Sequence, residues 1–263
     1  MENILFCAEY IWIDGDNDLR SKTRVLSFGD ISGGFPEWDY DGSSTKQADG
    51  DNSEVILKPC AIFKDPLRSH KDALVLCSTY KANGEPLSNN HRHNAERVFN
   101  TKLDEHPYFG LEQEYFMYDN RTNKPLGFDE NDKQGRFYCS VGSKNAFGRE
   151  LAEEHLKACL EAGIKVSGIN AEVAPGQWEF QIGICEGIEA GDHLWMARYI
   201  LERISEKYDV YINYHPKPLS GDWNGSGCHT NYSTQKMREP NGITEIYNAI
   251  DLLGKKHEEH MQI

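Results

Sequence analysis

Residues 168–183 read GINAEVAPGQWEFQIG, a segment that carries one glutamate on each side of a Pro-Gly turn. After the turn, polar and apolar residues alternate strictly. The polar face consists of Gln177, Glu179 and Gln181, and the apolar face consists of Trp178, Phe180 and Ile182. Such alternation predicts a half-buried strand with a carboxylate on its polar face. Because hard divalent cations are held by carboxylates on rigid backbone, Glu172 and Glu179 are candidate metal ligands.

A second segment, residues 110–117 (GLEQEYFM), has the same character. A period of two places Glu112 and Glu114 on one face of a strand. Two carboxylates roughly 7 Å apart on one strand repel each other unless they are solvated or bridged by cations. An ordinary solvated strand face explains this pair on its own. When the two glutamate-bearing strands are considered together, a metal site and a solvated strand face explain the glutamates equally well.

A third segment, residues 222–233 (DWNGSGCHTNYS), reads as a loop with two glycines and one histidine. Glycines allow a ligand to approach the backbone closely, and the imidazole of His229 is a candidate metal ligand. A structural hydrogen bond would also explain a lone histidine, and a plain turn would explain the glycines. The spacing matches neither a dinucleotide-binding fingerprint nor a P-loop.

Composition excludes several classes of protein. The 263 residues, enough for one or two domains, carry a net charge of −14 and no Lys/Arg cluster, which argues against a nucleic-acid partner. No apolar stretch is long enough to span a membrane, and the first residues lack the basic region of a signal peptide. Seven cysteines without a CxxC pair indicate reduced thiols. We therefore expect a cytoplasmic protein that binds neither nucleic acid nor membrane.

Short alternating runs separated by turns predict strands up to about residue 85. The polar stretch 82–90 reads either as a domain boundary or as a long surface loop. Helical spacing then predicts helices over 147–162, 192–207 and from 243 onwards, which suggests α/β packing. No Gly, Asn or Pro closes the last helix. A fragment of a longer protein and a frayed terminal helix both explain that ending.

Seven stretches carry a resemblance to a known family. They are residues 10–15 (YIWIDG), 38–45 (WDYDGSST), 65–68 (DPLR), 110–115, 170–183, 191–195 (GDHLW) and 224–233. Together, and in this order along the chain, they resemble eukaryotic-type (type II) glutamine synthetase. The resemblance implies an α+β fold: a small N-terminal β-grasp domain over residues 1–85, followed by a larger α/β catalytic domain over residues 86–263. The family continues beyond residue 263, so the catalytic domain is expected to be incomplete at its C-terminus.

The resemblance also implies a chemistry. The family joins ammonia to glutamate at the expense of ATP, through γ-glutamyl phosphate, with Mg²⁺ or Mn²⁺ as the metal. It implies that Glu112, Glu172 and Glu179 hold one metal ion, and that Glu114 and His229 help to hold a second. The family's substrate-clamping arginines lie beyond residue 263. We therefore expect little activity from residues 1–263 alone.

The remaining ligand assignments follow from the same resemblance. Asn224, Gly225 and Gly227 match residues that contact glutamate, and Asn231 and Ser233 match residues near the nucleotide. Asp41 matches the acid that binds ammonium, although without the resemblance a plain turn would be the better explanation of its Asp-Gly-Ser-Ser sequence. In the family this loop reaches the active site of an adjacent subunit. Self-association into two face-to-face pentameric rings, a decamer, is expected.

Two other functions fit parts of the sequence. A non-catalytic scaffold or regulatory subunit would keep the oligomer surface without turnover, and the early end of the chain motivates it. A γ-glutamyl ligase that uses a larger amine would keep the metal site. The Asp41 motif favours ammonia over a larger amine, because a bulky amine would clash in an ammonium pocket.

Overall fold

The computed structural model describes residues 4–262, which form two β-sheets with helices packed against the second. The strands are β1 (Leu5–Ile13), β2 (Leu19–Ser27), β3 (Trp38–Asp41), β4 (Glu54–Lys64), β5 (Ala73–Lys81), β6 (Tyr108–Asp119), β7 (Lys124–Pro125), β8 (Val166–Ala171), β9 (Gln177–Glu186), β10 (Val210–Asn213) and β11 (Cys228–Ser233). The helices are α1 (His91–Asn100), α2 (Arg149–Ala162), α3 (Glu189–Ser205), α4 (Gln235–Arg238), α5 (Ile243–Gly254) and α6 (His257–His260).

The first sheet has the strand order β2-β1-β5-β4-β3. All neighbours are antiparallel except β1 and β5, which run parallel. The second sheet has the order β10-β6-β9-β8, and β7 and β11 also pair with β6. The strand β6 is therefore the centre of the second sheet, and every other strand except β8 pairs with it directly.

Helices α2 and α3 cover one face of the second sheet. The apolar face of β9 packs beneath them, with Trp178, Phe180 and Ile182 each at most 1% exposed. Burying these large side chains together with the apolar stripes of both helices stabilises the layer. The strand alternation predicted for residues 110–117 and 177–182 is confirmed, because Glu112, Glu114 and Glu179 remain only partly buried. Their side chains occupy the opposite, helix-free face.

The core joins the two sheets. Side chains from β1, β4 and β5 enter the same cluster of buried residues as α2 and α3; these are Ile11, Phe63, Leu74 and Leu76. A second cluster lies within the first sheet and contains Tyr10, Trp12 and Leu57. The mixed α/β architecture agrees with the expectation from sequence. The division into a separate β-grasp domain at residue 85 stays a prediction, since the larger core extends across it.

The turn between Glu172 and Glu179 requires its glycine. Gly176 has a φ of +67°, and a Cβ atom there would lie 2.8 Å from the backbone nitrogen of Leu126. A side chain at this position would therefore meet both backbone strain and a steric clash. The Pro175-Gly176 turn brings the chain back so that β8 and β9 pair antiparallel.

Helix boundaries differ from the sequence expectation. The second helix begins at Arg149 rather than residue 147, and the third spans Glu189–Ser205 rather than 192–207. The terminal helix was expected to continue without a glycine stop; instead α5 ends at Gly254, and only the short α6 follows. Helix α1 was missed because most of its residues are polar, so its sequence shows no clear apolar stripe. Within the described residues, no helix is both long and apolar enough to cross a membrane.

The expected loop over residues 222–233 was partly wrong. Its second half forms β11, which pairs antiparallel with β6 from Gln113 to Tyr108. The residues of β11 are mostly exposed and polar, so hydrophobic alternation could not indicate a strand. The pairing places His229 directly opposite Glu112.

Candidate active site

Three carboxylates converge on the helix-free face of the second sheet. Glu114 on β6 lies opposite Glu179 on β9 in the strand register, and Glu172 follows the end of β8. One oxygen from each of the three carboxylates lies within 4.8 Å of the other two. We call Glu114, Glu172 and Glu179 the carboxylate cluster. The antiparallel pairing of β8, β6 and β9 brings together residues separated by up to 65 positions in the chain.

The cluster is electrostatically unfavourable without a cation. Burial, together with the negative charges of Glu114 and Glu179, raises the pKa of Glu172 to about 7. Burial also raises the pKa of Glu114 and of Glu179, and neighbouring carboxylates add to both effects. In the described part of the chain, no Lys or Arg forms an ion pair with any member of the cluster. Three hard oxygen donors without a Lys or Arg partner fit a divalent cation.

A second group of donors lies beside the cluster. The Nδ1 atom of His229 is 3.3 Å from the Oε2 atom of Glu112. The side-chain amide of Asn231 donates a hydrogen bond of 2.9 Å to the other oxygen of Glu112. His229 therefore lies with Glu112, whereas Glu114 lies with Glu172 and Glu179. The resemblance implied the opposite division, with Glu112 beside Glu172 and Glu179 and with Glu114 beside His229.

The glycine-containing segment 224–227 forms hydrogen bonds with the two glutamate-bearing strands, β6 and β9. The backbone N–H of Gly227 donates to Oε2 of Glu114 at 2.7 Å. The side chain of Gln177 donates to the carbonyl of Gly225 at 2.8 Å, and Asn224 donates to Gln177 at 3.4 Å. Of the three residues expected to contact glutamate, Gly227 thus contacts the carboxylate cluster directly, and Asn224 and Gly225 contact Gln177 at the start of β9.

Two expected residues lie outside these contacts. Asp41, at the end of β3, accepts hydrogen bonds from the hydroxyls of Ser43 (2.6 Å) and Ser44 (2.8 Å). These bonds lower the pKa of Asp41 to about 2, so it stays ionised at neutral pH. Within the described residues, its hydrogen bonds do not reach the cluster. The hydroxyl of Ser233 accepts a bond of 2.9 Å from Arg238.

Sequence reasoning missed a supporting pair of residues, Gln113 and Arg198. The Gln113 side chain is buried and donates to the carbonyl of Gly227 at 3.2 Å. Its oxygen accepts from the Nε atom of Arg198 at 3.0 Å, and the Arg198 guanidinium lies over the rings of Trp195 and Tyr214. A signal was present, since Gln113 is a polar residue on the apolar side of an alternating strand. A buried amide needs partners, and here they connect α3 to the segment that contacts Glu114.

The raised pKa of Glu172 predicts how the metal-free protein responds to pH. Between the ordinary pKa of 4.5 and the raised value of about 7, the folded state binds more protons than the unfolded state. The free energy of unfolding should therefore fall as the pH rises through this window, by on the order of 1 kcal/mol, because solvent screening of this partly solvated group reduces the effect of the full shift. Denaturant unfolding of the chelator-treated protein from pH 5 to 8 measures this slope.

The difference between wild type and Glu172→Gln isolates this group from other titrating residues. We expect the variant to lose this part of the slope, while Glu150→Gln, which changes an exposed glutamate on α2, keeps it. Identical pH profiles for wild type and Glu172→Gln would contradict the prediction.

Comparison with known proteins identifies the glutamine synthetase family across almost the whole chain. Residues 89–249 match the family model described as glutamine synthetase, catalytic domain. A protein of Acanthamoeba polyphaga mimivirus with a provisional glutamine synthetase name is 57% identical over 261 residues, which are 97% of this chain and 74% of that protein. A glutamine synthetase of Agaricus bisporus is 53% identical over 97% of this chain and 73% of its own length.

A plant relative and a solved structure extend the comparison. Glutamine synthetase cytosolic isozyme 2 of Vitis vinifera is 53% identical over 97% of this chain and 73% of its own length. A solved GmaS/ADP complex matches 87% of this chain and 53% of that chain with a TM-score of 0.69 and 16% identity, which supports the fold. On the sequence matches, this chain belongs to the glutamine synthetase family, and glutamine synthesis is the enzyme activity that this membership supports.

Proposed function

We propose that this protein catalyses the ATP-dependent ligation of ammonia to glutamate, which forms glutamine through γ-glutamyl phosphate. The observation that carries the proposal is the carboxylate cluster, in which three glutamates face one another without a Lys or Arg partner among the described residues. A carboxylate is a poor electrophile, and its activation by phosphoryl transfer requires stabilisation of negative charge. The ADP in the GmaS structure and the names of the relatives support ATP as the co-substrate.

The cluster supplies the ligands for one divalent ion, Mg²⁺ or Mn²⁺, and Glu112 with His229 supplies ligands for a second. Both ions would neutralise charge on the phosphoryl groups. The 2.7 Å bond from Gly227 orients the carboxylate of Glu114 within the cluster. The bond from Asn231 does the same for Glu112. The protein thereby holds its acidic ligands in place before substrates arrive.

The substrate contacts follow the same geometry. We assign glutamate to the segment that contains Asn224, Gly225 and Gly227, because it borders the cluster. We assign the nucleotide to the side of Asn231 and Ser233, which continue along β11 beyond the His229–Glu112 pair. In this arrangement the γ-phosphate and the glutamate carboxylate meet over the cluster.

Asp41 binds ammonium and accepts its proton. Its carboxylate is ionised at neutral pH because two serine hydroxyls stabilise the charged form. Ammonium has no lone pair, so a carboxylate beside the acyl phosphate that takes its proton leaves ammonia free to attack. Because Asp41 lies on the first sheet and makes only local hydrogen bonds, we propose that it serves the cluster of an adjacent subunit in a decamer of two pentameric rings. We place the enzyme in the cytosol, as the name of the Vitis relative suggests.

The hydroxamate assay tests this proposal. With glutamate, hydroxylamine, ATP and Mn²⁺, the native protein should form γ-glutamyl hydroxamate, because hydroxylamine captures the acyl phosphate. A polypeptide limited to residues 1–263 should show only background rates. The reason we propose is that residues 1–263 span 74% of the mimivirus relative and 73% of the Agaricus relative, and that the remainder of such proteins supplies cationic side chains to the transferred phosphoryl group.

The intact mass of the native protein gives its length, and this length is compared with the 263 residues of the shorter polypeptide. Absence of glutamate-dependent hydroxamate from the native protein would refute the proposed reaction. A full rate from residues 1–263 would instead refute the need for an additional cationic side chain.

A further inference from the structure

The hydrogen bonds between Glu114 and Gly227 depart from those of a regular antiparallel pair. In such a pair, two opposite residues exchange both of their backbone bonds. Here the N–H of Glu114 donates to the carbonyl of Gly227 at 2.9 Å. The carbonyl of Glu114, however, accepts at 2.7 Å from the side-chain amide of Gln113. The N–H of Gly227 is directed instead to the carboxylate of Glu114, at 2.7 Å.

The amide of Gln113 has one orientation that satisfies its surroundings. Its nitrogen donates to two carbonyls, that of Glu114 and, at 3.2 Å, that of Gly227. Its oxygen accepts from two nitrogens of Arg198, the Nε atom at 3.0 Å and the Nη2 atom. Carbonyls can only accept and a guanidinium can only donate, so a rotated amide would face two acceptors with an acceptor. Gln113 is 2% exposed, so water is a poor substitute for these partners.

The guanidinium of Arg198 is itself held in place. Arg198 lies within α3, which packs against β6 and β9. Its guanidinium lies over the rings of Trp195 and Tyr214, 4.7 and 5.1 Å from their centroids. Stacking on the ring faces leaves the edge of the guanidinium, which carries the N–H groups, free to donate to Gln113. The helix layer thereby determines the orientation of an amide inside β6.

We infer that Arg198 is a positioning residue for the carboxylate of Glu114. The guanidinium orients the amide of Gln113, and the amide occupies the backbone carbonyl that would otherwise accept from Gly227. The N–H of Gly227 then holds the carboxylate of Glu114 within the carboxylate cluster. The consequence for metal binding rests on the proposed function, in which Glu114 is a ligand. Residues that orient metal ligands commonly contribute 10–100-fold in metal affinity.

Hydrogen–deuterium exchange of the metal-free native protein tests the positioning without any ligand. Arg198→Met keeps an apolar side chain beside the rings but removes both donors to Gln113. The amide hydrogens of residues 224–228 should then exchange at least about threefold faster, because the bond from Gly227 to Glu114 is weakened. Arg203→Met is the matched control. Arg203 lies on the same helix and also donates to an aromatic residue, the hydroxyl of Tyr199 at 2.8 Å, so exchange in residues 224–228 should stay unchanged.

Calorimetric titration with Mn²⁺ tests the consequence for the cluster. Arg198→Met should weaken Mn²⁺ binding about tenfold. Arg198→Lys should weaken it less, since an ammonium still donates to the Gln113 oxygen, although it lacks the planar fork of the guanidinium. Arg203→Met should bind Mn²⁺ as the wild type does.

If Arg198→Met does not fold by circular dichroism, Gln113→Glu replaces it in the exchange experiment. This variant keeps an acceptor for Arg198 but removes both donors to the carbonyls, so residues 224–228 should again exchange faster. Unchanged exchange in the folded variant would overturn the inference. Unchanged Mn²⁺ affinity in Arg198→Met would also overturn it. A wild type that binds no Mn²⁺ would instead contradict the proposed function, whereas faster exchange in Arg198→Met would still support the positioning of Glu114.

Discussion

Glu179→Gln is expected to lower both γ-glutamyl hydroxamate formation and glutamine formation by the native protein, each by at least about 100-fold. The substitution keeps the size of the side chain but removes one of the three carboxylates of the cluster. Under the proposed function both steps depend on the same cluster, because it would hold a metal ion that neutralises negative charge in both of them. The increase in melting temperature with Mn²⁺ should shrink in parallel, since a ligand that binds only the folded state stabilises it by mass action.

Glu186→Gln is the matched control for this variant. Glu186 lies on the same strand, β9, but its carboxylate pairs with His106 at 2.8 Å, away from the cluster. We expect it to keep its activity and its stabilisation by Mn²⁺. A Glu179→Gln enzyme with wild-type rates and an unchanged response to Mn²⁺ would show that the cluster holds no catalytic metal.

Much of the site could be read from local sequence. The alternation of polar and apolar residues predicted the strands that carry Glu112, Glu114 and Glu179. It also predicted that these glutamates lie on the polar face of their strands. The turn at Pro175-Gly176 was visible because few residues other than glycine tolerate such a conformation. These features depend on neighbours within a few positions, where side-chain period and backbone sterics decide the outcome.

The grouping of the ligands could not be read in this way. Glu112 and Glu114 have equivalent positions in the alternation, and only the register of β6 against β9 and β11 separates them. That register places Glu114 opposite Glu179 and Glu112 opposite His229. It is set by contacts between segments more than 60 residues apart, about which local patterns carry no information.

Helix α1 shows a different limit. None of its residues is fully buried, and polar interactions hold the helix in addition to the packing of Phe99 on Phe109. The Asn90 side chain caps its first turn by accepting a bond from His93, and Arg92 joins it to Asp192 on α3. An ion pair between residues 100 positions apart is invisible to periodicity. Polar caps and ion pairs therefore explain elements that hydrophobic patterns miss.

Mixing two inactive variants should restore glutamine synthesis if the active site is shared between subunits. Asp41→Asn should abolish glutamine formation from ammonium but spare hydroxamate formation, because hydroxylamine is already a neutral nucleophile at pH 7. Co-expressed with Glu179→Gln, it should yield about a quarter of wild-type glutamine synthesis, since random assembly pairs an intact Asp41 with an intact neighbouring cluster in that share of sites.

Co-expression of Glu172→Gln with Glu179→Gln is the control. Both residues belong to one cluster on a single chain, so every site keeps a defect and no activity should return. Recovery confined to the first pair would mean that Asp41 acts across a subunit boundary. Failure of that pair, with both variants assembled as in the wild type, would place Asp41 in its own chain's site or outside the reaction.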